Sequence, residues 1–142
     1  MKEQTLILIK PDGVTRGLTQ PIMDRIKQAG FMIVKKKEFT LSEEMAKTHY
    51  REHKEKPFFP SLIGYITSGP IVAMVVEGEE AISGVRTLMG PTNPAKAPAG
   101  TIRGDLKDPT VPEKEQTMYN LIHGSDSAVS ATRELALFFP EK

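Results

Sequence analysis

The chain has 142 residues, which is enough for one domain over residues 1–142 with a proper hydrophobic core. Its net charge of +1 argues against broad electrostatic binding to nucleic acid or to a membrane surface, so any anion site must be local. The sequence has no cysteine and no apolar run of membrane length, which excludes disulfides, thiolate chemistry and a spanning helix and makes a cytoplasmic location the default expectation.

The first half of the chain alternates between strand-like and helix-like segments. Runs of apolar and β-branched residues predict strands, whereas apolar residues spaced three and four apart predict helices. In chain order we predict a strand at Thr5–Ile9, a turn at Lys10–Gly13, a helix at Pro21–Ala29, a strand at Phe31–Val34, a helix from Ser42 to about His53, and a short helix that ends at Ile66. The three lysines that follow Val34 are interpreted as a solvated strand end that discourages edge pairing.

The second half continues the alternation around one long loop. We predict a strand at Ile71–Val76, a helix at Glu79–Met89, a loop at Gly90–Thr117, a strand at Met118–Ile122 and a helix from Ala128 to about Phe138. The loop is rich in proline and glycine, and a loop of that length in a compact domain is usually functional. Ser125, Asp126 or Ser127 can cap the last helix.

This order of elements predicts an α/β fold of the α+β sandwich kind, with helices packed on one sheet. The split βαβ arrangement is a natural candidate. The pattern leaves the order of the strands open.

His123 is the most informative residue of the chain. It ends an apolar run and directly precedes Gly124 and the capping residues of the last helix. A histidine at a strand-to-helix turn lies near the positive end of the helix dipole, which attracts anions and disfavours the charged imidazolium. A neutral imidazole beside an anion site is what histidine-based phosphoryl transfer requires. The alternative is a core histidine whose ring is satisfied by the backbone.

Three cationic residues are candidates for holding a phosphate. Lys10 directly follows the first strand, Arg86 lies on the helix before Gly90, and Arg103 lies between two glycines in the long loop. Each alone is typical of a solvated surface charge. Phosphoryl transfer, however, needs several such donors at one point, and glycines beside Arg103 would allow the backbone to approach an anion closely.

Other motifs give no further site. His49 and His53 lie four residues apart on a predicted helix, a spacing that can bind zinc. No third ligand is evident in the sequence, so we expect no metal site there. The chain has no Gly-x-x-x-x-Gly-Lys-Ser/Thr loop, which excludes P-loop chemistry as the route to nucleotide binding.

Several specific motifs occur together in a characteristic order. They are Ile9-Lys10-Pro11-Asp12-Gly13, Arg16-Gly17-Leu18, Pro57-Phe58-Phe59-Pro60, Ser68-Gly69-Pro70 with the following strand, Gly90-Pro91-Thr92-Asn93-Pro94-Ala95, Gly100-Thr101-Ile102-Arg103-Gly104-Asp105, and Asn120-Leu121-Ile122-His123-Gly124-Ser125-Asp126-Ser127. With these motifs the sequence closely resembles the nucleoside diphosphate kinases over essentially its whole length.

The resemblance implies an activity, a fold and a set of partners. The family transfers the terminal phosphate of a nucleoside triphosphate, typically ATP, to a nucleoside diphosphate, with Mg²⁺ on the nucleotide and through a phosphohistidine. Its fold is ferredoxin-like, with a four-stranded antiparallel sheet, and its members assemble as homo-oligomers, either hexamers or tetramers.

The resemblance also implies the roles of individual residues. His123 matches the phosphorylated residue; Lys10, Arg86, Thr92 and Arg103 match phosphate contacts; Asn120, with Lys10, matches contacts to the ribose; Phe58 matches the platform under the base, with Leu62 one turn later; Glu134 matches the carboxylate that holds the histidine ring.

The sequence departs from the family pattern in the segment Leu106–Tyr119, which is longer than in most relatives and could alter the nucleotide site or a subunit contact. The chain also stops soon after Phe138-Phe139-Pro140, so the choice between a hexamer and a tetramer stays open.

Two alternatives remain from other functional classes. One is a catalytically silent ferredoxin-like module that binds nucleotides or nucleic acid, and the other is a different phosphohistidine enzyme such as a phosphatase or phosphocarrier.

Overall fold

A computed structural model of the protein describes residues 2–51, 54–91, 93–108, 110–111 and 120–140. The elements in chain order are β1 (Lys2–Ile9), α1 (Pro11–Thr15), α2 (Thr19–Gln28), β2 (Met32–Thr40), α3 (Glu43–His49), α4 (Phe59–Ile66), β3 (Pro70–Glu79), α5 (Ala81–Met89), a 3-10 turn (Pro94–Lys96), α6 (Ile102–Leu106), β4 (Ile122–Gly124) and α7 (Ala128–Phe138). Among these residues, no helix combines the length and the apolar character needed to cross a membrane.

The four strands form one antiparallel sheet in the order β2-β3-β1-β4. β1 pairs with β3 along its whole length, from Lys2 opposite Glu79 to Ile9 opposite Val72. This sheet order is that of the ferredoxin-like fold, so the predicted fold class is confirmed. It also supplies the strand order that the sequence pattern left open.

Helices cover both faces of the sheet, which explains why the sequence of β1 is apolar without alternation. Leu6 and Leu8 face a cluster built with α3, α4 and α7, whereas Ile7 and Ile9 face a cluster built with α2 and α5. A central strand that is buried on both sides needs apolar residues at every position. Because successive side chains of β4 also point to opposite faces, Ile122 joins the second cluster and His123 points toward α3 and α7.

Two predicted boundaries near the start of the chain are wrong. The predicted turn at Lys10–Gly13 is the start of a short helix, α1, in which Pro11 occupies the first position. Proline is favoured there because its fixed φ suits the helix and its missing N–H would have no partner in any case. The helix predicted to run to about His53 ends at His49, although Ser42 caps it as expected; His53 lies outside the described residues.

The lysines after Val34 do not end their strand. β2 continues to Thr40, and Lys35 to Lys37 pair with Val75 to Ala73 of β3. β2 lies at the edge of the sheet, so its lysine backbones can pair while their charged side chains stay largely in solvent.

The long loop predicted over Gly90–Thr117 contains regular structure in its described part. α6 forms there because the Thr101 hydroxyl accepts the Gly104 N–H and caps the helix. The strand predicted at Met118–Ile122 is also displaced, since β4 begins only at Ile122. Positions 118 and 119 lie outside the described residues.

A tight turn at Leu121 explains the late start of β4. Leu121 has a φ of 72°, and the Ile122 N–H donates to the Asn120 carbonyl 2.8 Å away. This is a γ-turn of the strained kind, which a non-glycine residue adopts only when its surroundings hold it. The Lys10 N–H donates to the Leu121 carbonyl and the Leu121 N–H donates to Asp12 Oδ2, so the loop after β1 clamps this turn.

Candidate active site

One cleft, of about 350 Å³, brings together most of the residues that the sequence analysis singled out. It is lined by Lys10, Phe58, Leu62, Arg86, Arg103, Asn120, His123 and Glu134, among others. Thr92, the remaining predicted phosphate contact, lies outside the described residues. A larger groove of about 680 Å³ runs along α7, but Glu3 is the charged residue among its described lining, so it offers little chemistry.

His123 is held in place by a carboxylate from α7. Its Nε2 lies 2.9 Å from Glu134 Oε1, and the Ser125 hydroxyl donates to the same oxygen at 2.7 Å. Burial favours a raised pKa for Glu134, but the hydrogen bonds from His123 and Ser125, with the charge of His123, outweigh it and leave that pKa below its ordinary value. An ionised carboxylate can only accept hydrogen bonds, so the imidazole proton sits on Nε2 and the Nδ1 lone pair is free for attack.

His49 is a member of the site that the sequence analysis did not assign. Its ring centroid lies 4.9 Å from that of His123, edge to face, and its side chain is 4% exposed. Burial, followed by the charge of His123, lowers the pKa of His49 to about 3, so this imidazole is neutral. Ala46 and His49 lie three residues apart on the inner face of α3, a spacing that could have indicated a buried histidine.

Lys10 is buried at the end of β1, where its ammonium group donates to Asn120 Oδ1 at 2.8 Å. Burial, together with the nearby charge of Arg103, lowers the pKa of Lys10 to about 8, while the charge of Asp12 opposes that shift. Lys10 and Asn120, which the resemblance assigns to the same part of the nucleotide, are therefore in direct contact.

Arg103 binds three backbone carbonyls at once. Its Nε donates to the Asn120 carbonyl at 3.1 Å, and its two terminal nitrogens donate to the carbonyls of Gly90 and Ile122 at 3.1 and 2.6 Å. Burial and the charge of Arg86 lower the pKa of Arg103 to about 10, which leaves it charged at neutral pH. Its planar guanidinium has five N–H donors, so two remain for a ligand.

The structure gives a packing reason for the glycine that follows Arg103. A Cβ atom at Gly104 would collide with the carbonyl oxygen of Pro98. Glycine therefore lets α6 lie against the preceding loop, and close approach to an anion is not needed to explain this position.

Arg86 and Phe58 lie nearer the solvent. Arg86, on the last turn of α5, donates to the Gly124 carbonyl at 3.1 Å, directly beside His123. Phe58 precedes α4 and is 45% exposed, with the Lys56 ammonium 5.7 Å from its ring centroid. An exposed aromatic ring beside a cationic cleft suits a flat, anionic ligand such as a nucleotide.

A histidine fixed by a carboxylate and flanked by Lys10, Arg86 and Arg103 is an arrangement suited to phosphoryl transfer. Comparison with known proteins agrees, and the chain is a phosphotransferase.

A family model described as nucleoside diphosphate kinase matches residues 3–142. The chain is 51% identical over 139 residues to the nucleoside diphosphate kinase of Archaeoglobus fulgidus, which covers 98% of this chain and 87% of that protein. It is 52% identical over 142 residues to the nucleoside diphosphate kinase of Nocardia farcinica, at 99% and 97% coverage. A solved structure of a halophilic nucleoside diphosphate kinase from Halobacterium salinarum in complex with CDP has a TM-score of 0.90 at 45% identity, covering 98% of this chain and 88% of that one. The chain belongs to the nucleoside diphosphate kinase family, as its motifs predicted.

Proposed function

We propose that this kinase works by a ping-pong mechanism in which His123 carries the phosphate between two nucleotides. The observation that supports the proposal most directly is the 2.9 Å contact between His123 Nε2 and Glu134 Oε1, because it leaves Nδ1 as the free nucleophile. The Nδ1 lone pair attacks the terminal phosphorus of a nucleoside triphosphate. The N–P bond forms as the bond to the bridging oxygen breaks, and the nucleoside diphosphate leaves with that electron pair.

Glu134 supports this step through the far side of the ring. As Nδ1 gives up its electron pair, positive charge spreads to the Nε2–H, and the ionised carboxylate opposite stabilises it. The second half-reaction is the reverse, in which a terminal oxygen of a different nucleoside diphosphate attacks the phosphohistidine. The proton stays on Nε2 throughout.

The cationic side chains bind the phosphates. Lys10, Arg86 and the two free N–H groups of Arg103 supply charge-assisted donors on the same cleft as His123, and Thr92 is proposed to add a hydroxyl donor. Charge on the transferring group is spread over its equatorial oxygens, so several donors are worth more than one strong one.

The other parts of the nucleotide are assigned to the remaining cleft residues. Phe58 forms a stacking platform for the base with Leu62 beside it, and this contact distinguishes poorly between purines and pyrimidines. Asn120 and Lys10, already joined by a hydrogen bond, are proposed to contact the ribose hydroxyls.

Mg²⁺ is proposed to arrive on the nucleotide. It binds through phosphate oxygens and one or two carboxylates, and it seldom needs a cage of protein ligands. The described cleft fits this mode, because most of its charged lining residues are cationic and Asp126 is the carboxylate not committed to His123. When bound, the ion neutralises phosphate charge, and Asp126 is the residue proposed to face it.

A homo-oligomer, hexamer or tetramer, is also proposed. β2 is an edge strand, and Met32 and Val34 on it are 63% and 42% exposed, which suits burial against a second copy. Light scattering coupled to gel filtration would give the number of chains. The cytoplasmic location expected from the sequence stays a prediction.

Steady-state kinetics test the proposed mechanism. Initial rates are measured with ATP varied at several fixed concentrations of a second diphosphate such as CDP. A ping-pong enzyme gives parallel double-reciprocal lines, because the first product leaves before the second substrate binds. Intersecting lines would require both nucleotides to be bound together and would contradict the phosphohistidine route.

A further inference from the structure

The imidazole of His49 has unused bonding capacity. Both of its ring nitrogens are buried, and within the described ranges neither has a hydrogen-bond partner. The ring is surrounded instead by aromatic edges and faces from Tyr50, Phe138 and His123. A buried polar group without a partner costs free energy, so its presence at the active site requires an explanation.

His49 lies in a group of three side chains whose residue types can bind metal ions. One ligand atom from each of His49, His123 and Glu134 lies within 4.8 Å of the other two. In a tetrahedral zinc site with bonds of about 2.0–2.2 Å, ligand atoms lie about 3.4 Å apart. Side-chain movements of about 1 Å would therefore bring the three atoms into coordination range.

The chemistry of the three donors selects a class of metal. Two imidazoles and one carboxylate suit Zn²⁺, Co²⁺ or Ni²⁺, whereas Mg²⁺ prefers an all-oxygen shell. Three protein ligands leave a fourth position for water or a phosphate oxygen. The positive charges of Lys10 and Arg133 oppose a cation here, and the carboxylate of Glu134 offsets part of that opposition.

We propose that His49, His123 and Glu134 bind a transition-metal ion of the zinc class, and that the bound ion prevents phosphorylation of His123. The second clause rests on the proposed function. A metal shared between His123 and Glu134 replaces the contact that fixes the ring, and it withdraws electron density from the nucleophile. The sequence predicted no metal site from His49 and His53. The proposed site instead combines His49 with His123 of β4 and Glu134 of α7.

Zinc titration of the nucleotide-free protein tests the site without any reference to turnover. Calorimetry with ZnCl₂ is carried out on the whole chain, on H49Q and H49F, and on H53Q as the matched control. We expect one strong site per chain in the wild type and in H53Q. Loss of a direct ligand in either His49 variant should weaken zinc binding at least about 100-fold. Mutation of a residue that only hydrogen-bonds to a ligand already weakens metal binding by up to about 100-fold. Unchanged binding in H49Q and H49F, or equal loss in H53Q, would overturn the proposal.

A second measurement does not depend on how the variants fold. Crystals of the wild-type protein soaked in ZnCl₂ should show one anomalous peak at the zinc edge, in contact with both imidazoles and the Glu134 carboxylate. A peak confined to other residues would overturn the site.

The inhibitory effect has its own readout. Wild-type protein loaded with zinc should take up little label from γ-³²P-labelled ATP, and removal of zinc by a chelator should restore the labelling. Full labelling of the zinc-loaded protein would overturn the inhibitory clause. Absence of labelling in zinc-free protein supplied with Mg²⁺ and labelled ATP would instead contradict the proposed function, and the two failures are thereby distinguished.

Discussion

His123 Nε2 lies 2.9 Å from Glu134 Oε1, so one ring nitrogen of the proposed nucleophile is already hydrogen-bonded before any nucleotide binds. The carboxylate comes from the second turn of α7 and the imidazole from β4, so helix packing on the sheet determines the direction of the free Nδ1. The geometry of the reaction is thus built from two secondary-structure elements and does not depend on a mobile loop.

Replacement of Glu134 by Gln should slow the chemical step. A glutamine side chain can still accept the Nε2–H, but it carries no charge to stabilise the developing imidazolium. We expect kcat to fall about 10- to 100-fold, with KM nearly unchanged, because the residue acts through the ring and not on the nucleotide. S125A removes the hydrogen bond to the same oxygen, together with the one that Ser125 Oγ accepts from the Leu6 N–H, and leaves the Glu134 charge in place as a control. A raised KM with normal kcat would contradict the positioning role.

Arg103 and Arg86 should respond differently to replacement by Met. R103M removes a donor from each of the carbonyls of Gly90, Asn120 and Ile122, of which Asn120 keeps the Ile122 N–H, so the free energy of unfolding should fall by about 3 kcal/mol or more. R86M removes one hydrogen bond near solvent and should cost about 1 kcal/mol of stability or less. Both should reduce kcat/KM, about 10²- to 10³-fold for R86M. Urea denaturation and steady-state kinetics measure the two effects, and equal stability of the two variants would show that the Arg103 contacts are unimportant.

The charge of Lys10 should govern activity at alkaline pH. Burial lowers the pKa of Lys10 to about 8 in the nucleotide-free chain. A lysine is charged below its pKa and neutral above it, so phosphate binding weakens as the pH rises through that value. Since kcat/KM reports groups of the free enzyme, it should fall about tenfold per pH unit above the pKa of Lys10. Arginine stays charged, so K10R should lower the overall rate but remove this decline. A wild-type profile that stays flat to about pH 10 would contradict the role of Lys10.

Phe58 should contribute to nucleotide binding without contributing much to folding. Phe58 is 45% exposed, so F58A should destabilise the fold less than loss of a fully buried ring would. Stacking on a base is worth about 1–3 kcal/mol, so KM should rise about 5- to 150-fold, and by similar factors for ATP, GTP, CTP and UTP. F58Y keeps the platform and should behave like the wild type. A loss restricted to one base would indicate that specific hydrogen bonds, and not stacking, hold the nucleotide.

Local pattern was sufficient to predict α7, the apolar runs of β1 and β3, and the motifs that carry the site. These features follow from neighbouring residues along the chain. It failed at the start of β4, because the γ-turn at Leu121 is imposed by hydrogen bonds from Lys10 and to Asp12, more than 100 positions away. It also missed the contact of His49 with His123, because α3 and β4 meet only when both pack on the same face of the sheet.

The role of Arg103 shows the same limit. Its sequence context indicated a phosphate ligand, but no local pattern could reveal that its guanidinium also ties together three backbone carbonyls. The long-range contacts therefore decide which substitutions affect stability as well as activity.

The central claim is that His123 accepts a phosphate and passes it on, and a pulse-chase experiment tests it most directly. The protein is incubated briefly with γ-³²P-labelled ATP, freed of nucleotide, and then mixed with unlabelled GDP or CDP. We predict label on the wild-type protein that moves within seconds to GTP or CTP, and no label on H123N. Labelling of H123N equal to the wild type, or label that passes to water and not to the diphosphate, would contradict the account.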